Sequence, residues 1–138
     1  MKDIFCRIVS GEIPSTKLYE DDDVLVILDI SQATKGHALV MPKAHYESIL
    51  DCPEEILKKV YAVAQKIAKA EMKAFSASGV NVLTNALEAA GQSVPHFHVH
   101  VIPRYDETDG FDTTFVAHEP DFEALKVIAE SIKGAIHG

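Results

Sequence analysis

Between positions 96 and 102 the chain reads His96-Phe97-His98-Val99-His100-Val101-Ile102, imidazole alternating with apolar side chains up to Val101. A period of two belongs to an extended strand, so the histidines project from one face and Phe97, Val99 and Val101 from the other. The fold must therefore contain a sheet that is apolar on one side and carries imidazoles on the other. A rise of about 3.3 Å per residue puts neighbouring histidines about 6.6 Å apart at the backbone, so their ring nitrogens can converge on one small anion or metal. Histidine titrates near neutral pH and serves as base, nucleophile or metal ligand. Three such groups make a poor core. The segment is predicted to be a functional site.

The rest of the chain supplies the scaffold. Lys17 to Glu20 fits a short strand before the acidic turn Asp21-Asp22-Asp23. Val24 to Ile30 is β-rich and almost continuously apolar, the pattern of a central strand. Gly36 precedes a further strand, His37 to Met41, which Pro42 ends. Asp51-Cys52-Pro53-Glu54 is a helix-start signature: a capping residue, an early proline and an acid in the first turn. Ile56, Val60, Val63, Ala64, Ile67 and Ala68 then recur at helical spacing, with Lys58, Lys59, Lys66 and Lys69 mostly opposite. The spacing predicts an amphipathic helix to about Phe75, with Gly79 just beyond. Val80 to Asn85 reads as a third main strand and Leu87 to Gly91 as a loop. Residues 105–118 read as irregular, with a turn at Asp109-Gly110. A last helix is expected to bury Phe122, Leu125, Ile128, Ile132 and Ile136. The first sixteen residues, with Gly11 and Pro14, read as an irregular lead-in. Hairpin-like strands with two packed helices make an α+β domain, and 138 residues fit one domain spanning the whole chain.

Charge narrows the partners. The 13 basic and 21 acidic side chains leave a net charge of −8, which argues against nucleic acid and against an acidic membrane surface. Cys6 and Cys52 are the only cysteines, too few for a disulfide scaffold. The amino terminus is charged where a secretory signal would be apolar. No apolar run approaches the roughly 18 residues of a membrane span. A reducing cytoplasm is the expected compartment.

Chemistry is concentrated around the histidines. The stretch Ala90-Gly91-Gln92-Ser93-Val94-Pro95 leads into them. Gly91 permits close backbone approach to a ligand, and Gln92 and Ser93 offer neutral hydrogen-bond donors, a combination suited to a phosphate. Two readings of the imidazoles then stand side by side. His-x-His on a strand chelates zinc well. Alternatively one imidazole attacks phosphorus while the others orient it and bind the phosphoryl oxygens. Spacing alone leaves both open.

The segment Gly91-Gln92-Ser93-Val94 followed by His96-Phe97-His98-Val99-His100-Val101-Ile102 resembles the signature of the histidine triad (HIT) family of nucleotide hydrolases and transferases. Phe5-Cys6-Arg7-Ile8 with Gly11-Glu12-Ile13-Pro14-Ser15 resembles the family's amino-terminal segment. Leu28-Asp29-Ile30-Ser31 and Gly36-His37-Ala38-Leu39-Val40-Met41-Pro42-Lys43-Ala44-His45 resemble its central strands, and Ile102-Pro103-Arg104 closes the pattern. The likeness covers most of residues 4–104 and is thinnest over 105–138.

The resemblance implies a half-barrel of about five antiparallel strands with one long helix and, here, a C-terminal helix, usually paired as a homodimer. It implies chemistry through a nucleotidylated histidine, with no cofactor required. By position His98 is the nucleophile toward the α-phosphorus of a purine nucleotide, His100 contacts the phosphate, and His37 and His96 are supporting imidazoles. Asp29 matches the acid that holds the ribose hydroxyls, Asn85 and Ser93 match phosphate-side donors, and Gln92 shapes their loop. Some relatives carry a structural zinc on two cysteines and two histidines. Here Cys6, His45 and His96 match, and Asp3 replaces the remaining cysteine, which leaves an Asp3-Cys6-His45-His96 set for zinc. The likeness points to the phosphoramidase (Hint-like) branch. Dinucleoside polyphosphate hydrolysis, or nucleotide or partner binding with little turnover, are the alternatives. His118 and His137 fall outside every motif and read as solvated.

Overall fold

The computed structural model describes residues 3–137. Five strands, β1 (Lys17–Glu20), β2 (Val24–Leu28), β3 (Ala38–Pro42), β4 (Gly79–Leu83) and β5 (Val99–Arg104), form one antiparallel sheet in the order β1-β2-β3-β5-β4. The helices are α1 (Ile4–Val9), α2 (Glu54–Phe75) and α3 (Phe122–His137). This is the α+β architecture expected from the strand and helix patterns.

Alternation along the strands divides the core in two. Val24, Val26, Ala38, Val40, Phe97, Val99 and Val101 face α2, where Val60, Val63, Ala64, Ile67 and Ala68 pack onto them. Leu25, Ile27, Leu39 and Met41 face the other way and meet Phe5 and Ile8 of α1. Each fully buried aliphatic side chain contributes about 1.5–3 kcal/mol, so the register is held from both sides. Leu39 and Leu83 lie opposite His100 in the neighbouring strands, which places that imidazole on the α1 side of the sheet.

The structure departs from the sequence reading at several ends. The lead-in contains a helix: Asp3 Oδ1 accepts the Cys6 amide at 2.8 Å as an N-cap, and Phe5 and Ile8, one turn apart, are buried. At six residues α1 is too short to show a period. Strand β2 stops at Leu28 instead of Ile30, whose side chain is fully exposed. Strand β4 likewise covers Gly79–Leu83, short of Asn85. A single 3-10 turn, Glu88–Ala90, occupies the loop before Gly91. Asp51 does not cap α2. Its carboxylate accepts the amides of Glu47 and Ser48 at 3.1 and 2.9 Å, closing the preceding turn.

The largest difference is α3. Its apolar stripe, Phe122, Leu125, Ile128, Ile132 and Ile136, is exposed by half or more at every position, not buried. A helical period identifies an apolar face but not what covers it. No helix among the described residues is long and apolar enough to cross a membrane.

Candidate active site

Strand β5 begins at Val99 and not at His96 as the alternation implied: His96 sits in the bend before it, His98 in the approach and His100 within the strand. Thr84 holds that approach by donating to the His98 carbonyl at 2.7 Å. Phe97, Val99 and Val101 lock the opposite face into the α2 core, so the three imidazoles have little freedom to rotate away.

Hydrogen bonds assign a distinct state to each ring. His98 Nδ1 lies 2.7 Å from the His96 carbonyl, which only accepts, so Nδ1 carries the proton and Nε2 keeps its lone pair. His37 Nδ1 accepts the Ala33 amide at 3.1 Å, so the His37 proton sits on Nε2 and is given to His100 Nδ1, 2.9 Å away. His100 is then left with an Nε2–H donor. His96 donates from Nε2 to the Pro42 carbonyl at 2.8 Å, which turns its Nδ1 toward Cys6 and Asp3. The rings of His98 and His100 stand 5.0 Å apart between centroids, and Phe5 meets His98 edge-on at 4.9 Å.

Burial sets the charge. It pushes His100 down to about 4, helped by the neighbouring His98 and His37. It also lowers His98, partly offset by the hydrogen bond to His96, and lowers His37 against the pull of Asp29. His37, His98 and His100 are therefore neutral at pH 7.

A cleft of about 290 Å³ opens beside these rings, walled by Phe5, Ile8, Ile27, Leu39 and Val94 and edged by Asp29, Ser93, His98 and His100. An apolar cavity with a few convergent polar groups is the usual form of a small-ligand site. Asp29 Oδ1 accepts the Ser31 amide at 2.7 Å and Oδ2 stands 3.7 Å from His37 Nε2. Ser93 faces the cleft. Asn85 lies beside Gly91, its Nδ2 4.0 Å from where a Cβ on that glycine would stand. Gln92 is committed to the loop: its amide donates to the Glu47 and Val94 carbonyls at 2.6 and 2.9 Å and accepts the Leu87 amide at 2.7 Å. These bonds brace the loop.

A second cluster lies behind the triad. Cys6 Sγ is 3.4 Å from His45 Nδ1 and 3.5 Å from His96 Nδ1, and Asp3 Oδ2 is 2.8 and 3.3 Å from the same two nitrogens. Zinc bonds of about 2.0–2.3 Å give tetrahedral edges of about 3.3–3.6 Å. Most of the separations match. Among the described residues Asp3 Oδ2 is buried with no hydrogen-bond partner, and Oδ1 takes the Cys6 amide. Burial pushes Asp3 up, but the Cys6 amide and the two histidines outweigh it and hold the carboxyl below its ordinary value. Burial pushes the Cys6 thiol up, and a bound cation would take it as thiolate. The Pro42 carbonyl fixes the His96 tautomer that a metal ligand needs. The donor set fits zinc. By contrast Asp29, His37 and His100 also stand close together, but both His37 nitrogens and His100 Nδ1 are already engaged in hydrogen bonds.

The tertiary structure thus gathers Asp29, His37, Ser93, His98 and His100 at one cleft, and Asp3, Cys6, His45 and His96 behind it. Sequence reasoning missed the Ala33 amide, the Pro42 carbonyl and Thr84, which hold the imidazoles through atoms that carry no side-chain signature. It also missed Phe5 and Ile8 as cleft walls, because a helix of six residues is too short to show a period.

Sheet, cleft and ordered imidazoles together define a histidine-triad architecture. Residues 10–107 match the HIT domain. Over 131 residues, covering 94% of this chain and 90% of the relative, the sequence is 48% identical to protein hit of Bacillus subtilis. It is 37% identical over 135 residues to an adenosine 5'-monophosphoramidase of Saccharomyces cerevisiae, covering 98% of this chain and 83% of that protein. The crystal structure of a HIT family member from Bacillus subtilis superposes with a TM-score of 0.92 at 46% identity, over 97% of this chain and 96% of that one. A zinc-bound histidine triad family protein from Mycobacterium smegmatis superposes with a TM-score of 0.74 at 37% identity, over 96% of both chains. The chain belongs to the HIT family.

Proposed function

We propose that this chain is a nucleoside phosphoramidase that releases a purine nucleoside monophosphate through a nucleotidylated His98. The observation that carries the reading is the tautomer of His98: its Nδ1–H is fixed on the His96 carbonyl, so Nε2 presents a lone pair beside the cleft at neutral pH. The similarity to an adenosine 5'-monophosphoramidase supports the choice of leaving group.

In this reading the base lies against Phe5, Ile8 and Val94, and Asp29 accepts from the ribose hydroxyls. His98 Nε2 attacks the α-phosphorus and the bond to the leaving nitrogen breaks, its electron pair going to the departing amine, which takes up a proton. Water then attacks the same phosphorus, releasing the monophosphate and returning the lone pair to Nε2. His100 Nε2–H, held by His37, hydrogen-bonds a non-bridging oxygen as charge shifts onto it, and Ser93 and Asn85 are further donors on that side. Such chemistry needs positioning and charge stabilisation more than covalent help.

The Asp3-Cys6-His45-His96 set holds a structural zinc in this reading. When bound, that ion ties α1 to the strand ends and fixes His96. Among the described residues β4 is an edge strand and the apolar face of α3 is exposed, which supports a homodimer. The chain acts as one domain in the cytoplasm.

The deciding experiment offers an adenosine phosphoramidate and diadenosine polyphosphates to the native chain and to His98→Ala. Phosphoramidate cleavage by the native chain, lost in the variant, is expected. A preference for the polyphosphates would move the protein to the alternative substrate class. Activity that survives the substitution and a chelator would remove His98 from its role, and rapid loss to a chelator at unchanged folding would give the chemistry to the metal.

A further inference from the structure

The C-terminal half of α2 carries a buried carboxyl that the site above does not use. Glu71 continues the helix's buried stripe after Val60, Ala64, Ile67 and Ala68 and is 5% exposed. Neither of its oxygens has a hydrogen-bond partner among the described residues. It lines a cavity of about 370 Å³ on the opposite side of the sheet from the nucleotide cleft, together with Leu18, Leu28, Ile67, Ala74 and Phe75. The remaining wall is the loop after β2, through Gln32, Lys35 and Gly36. A Cβ at Gly36 would stand 3.3 Å from Glu71 Oε2, so the carboxyl meets this loop directly.

Among the described residues no charged or titratable side chain hydrogen-bonds Glu71; Tyr105 is near enough that, after burial, Glu71 helps push its hydroxyl up. Lys35 is exposed and holds its Nζ over the Phe75 ring, 4.8 Å from the centroid, and makes no ion pair with Glu71. Tyr105, from the end of β5, gives its hydroxyl to the Lys35 carbonyl. Burial pushes Glu71 up to about 8. A carboxyl without countercharge at the wall of an apolar cavity is complemented by a cation with a hydrocarbon body. A neutral hydrocarbon would leave the oxygens unpartnered, and an anion would be repelled once the acid ionised.

We propose that this cavity is a second ligand site, taking a small apolar amine whose ammonium pairs with Glu71 and whose hydrocarbon body packs on Ile67, Ala74 and Phe75. No covalent bond forms. Near pH 7 each ammonium bound displaces the Glu71 proton to solvent, so affinity rises about tenfold per pH unit up to about 8 and then levels. The site backs onto the nucleotide cleft. Gln32 Nε2 donates to the Asp29 and His37 carbonyls at 2.6 and 2.8 Å while Oε1 accepts the Gly36 amide at 2.8 Å. Occupancy is therefore felt by the loop that presents Asp29 and His37.

The test titrates cyclohexylamine and its neutral counterpart cyclohexanol into the full chain at about pH 6 and about pH 8.5, following the Gly36 and Gln32 amide resonances. Cyclohexylamine is expected to shift both resonances and to bind on the order of a hundredfold more weakly at the lower pH. Glu71→Gln should lose this pH dependence and the preference for amine over alcohol. Ala74→Phe, which fills the cavity from its exposed rim, should abolish binding of either probe and covers the case in which Glu71→Gln does not fold. Equal binding of alcohol and amine, a pH dependence that persists in Glu71→Gln, binding that survives Ala74→Phe, or no shift at Gly36 and Gln32 would each overturn the proposal.

Discussion

At His98 the decisive quantity is the location of one proton. An imidazole whose Nδ1–H points into a backbone carbonyl can only offer Nε2, and the neighbouring rings are ordered by the same logic through Ala33, His37 and His100. Removing the His37 ring should free His100 to rotate and lose the Nε2–H donor. His37→Ala is thus expected to lower the single-turnover rate by about a hundredfold with little effect on nucleotide affinity. The pH response has a definite sign. His100 titrates at about 4 in the folded chain against an ordinary 6.5, so between these values the unfolded chain holds more protons. His100 therefore contributes stability that is present above pH 6.5 and is lost as the pH falls toward 4, at up to about 1.4 kcal/mol per pH unit. Denaturant midpoints of the native chain and His100→Gln, compared across that range, should converge toward the acid end. Activity should hold below pH 6.5 instead of falling there, because the His98 ring is also lowered by burial.

Among the elements, α2 and the loop facing it contain the clearest structural tension. Gly36 has φ +101°, and a Cβ there would meet Phe75, Pro103 and Glu71 at 3.0, 3.1 and 3.3 Å. Gly36→Ala is expected to destabilise the fold by about 1–3 kcal/mol and to disturb Asp29 and His37 through Gln32, visible as a lower melting point and weaker nucleotide binding. Glu71 acts with the opposite sign to the histidines. The folded chain keeps a proton that the unfolded chain releases above 4.5, so stability is lost as the pH rises from 4.5 to about 8. Glu71→Gln does not titrate, and its melting point should gain on the native chain across that window. A gap independent of pH would show that the carboxyl is ionised in the fold. The length of α2 was legible because 22 residues carry several turns of one period. Helix α1, at six residues, was not, and the end of β2 was hidden because Ile30 continues the apolar run while its side chain is fully solvent-exposed.

For the molecule as a whole, the two proposals that reach beyond one element are metal and partner. Zinc bound only by the folded chain stabilises it by mass action, about 4 kcal/mol at a thousand times its dissociation constant. A chelator should lower the melting point of the native chain and leave that of Asp3→Ala, already deprived of one ligand, little changed. Equal shifts in both would remove Asp3 from the site. The homodimer predicts twice the chain mass in solution. Leu125→Glu with Ile132→Glu, on the exposed stripe of α3, should halve it if that face is the interface. Retention of the dimer in the double variant would leave the β4 edge as the contact.

The alternation of residues 96 to 102 by itself separated the side chains of a core, Phe97, Val99 and Val101, from the imidazoles, although only Val99 onward belongs to the strand. The resemblance of Asp29, His37 and the Gly91-Gln92-Ser93 loop to the HIT pattern associated them with these histidines, and the structure places Asp29 and Ser93 at the cleft beside His98 and His100. Tertiary structure alone decided what distinguishes one imidazole from the next. The proton on each ring is set by carbonyls and amides of residues far along the chain, such as Pro42 and Ala33, and any residue type presents those groups. For the same reason no sequence pattern announced that Glu71 would lie buried beneath the loop that carries Asp29 and His37, without a partner.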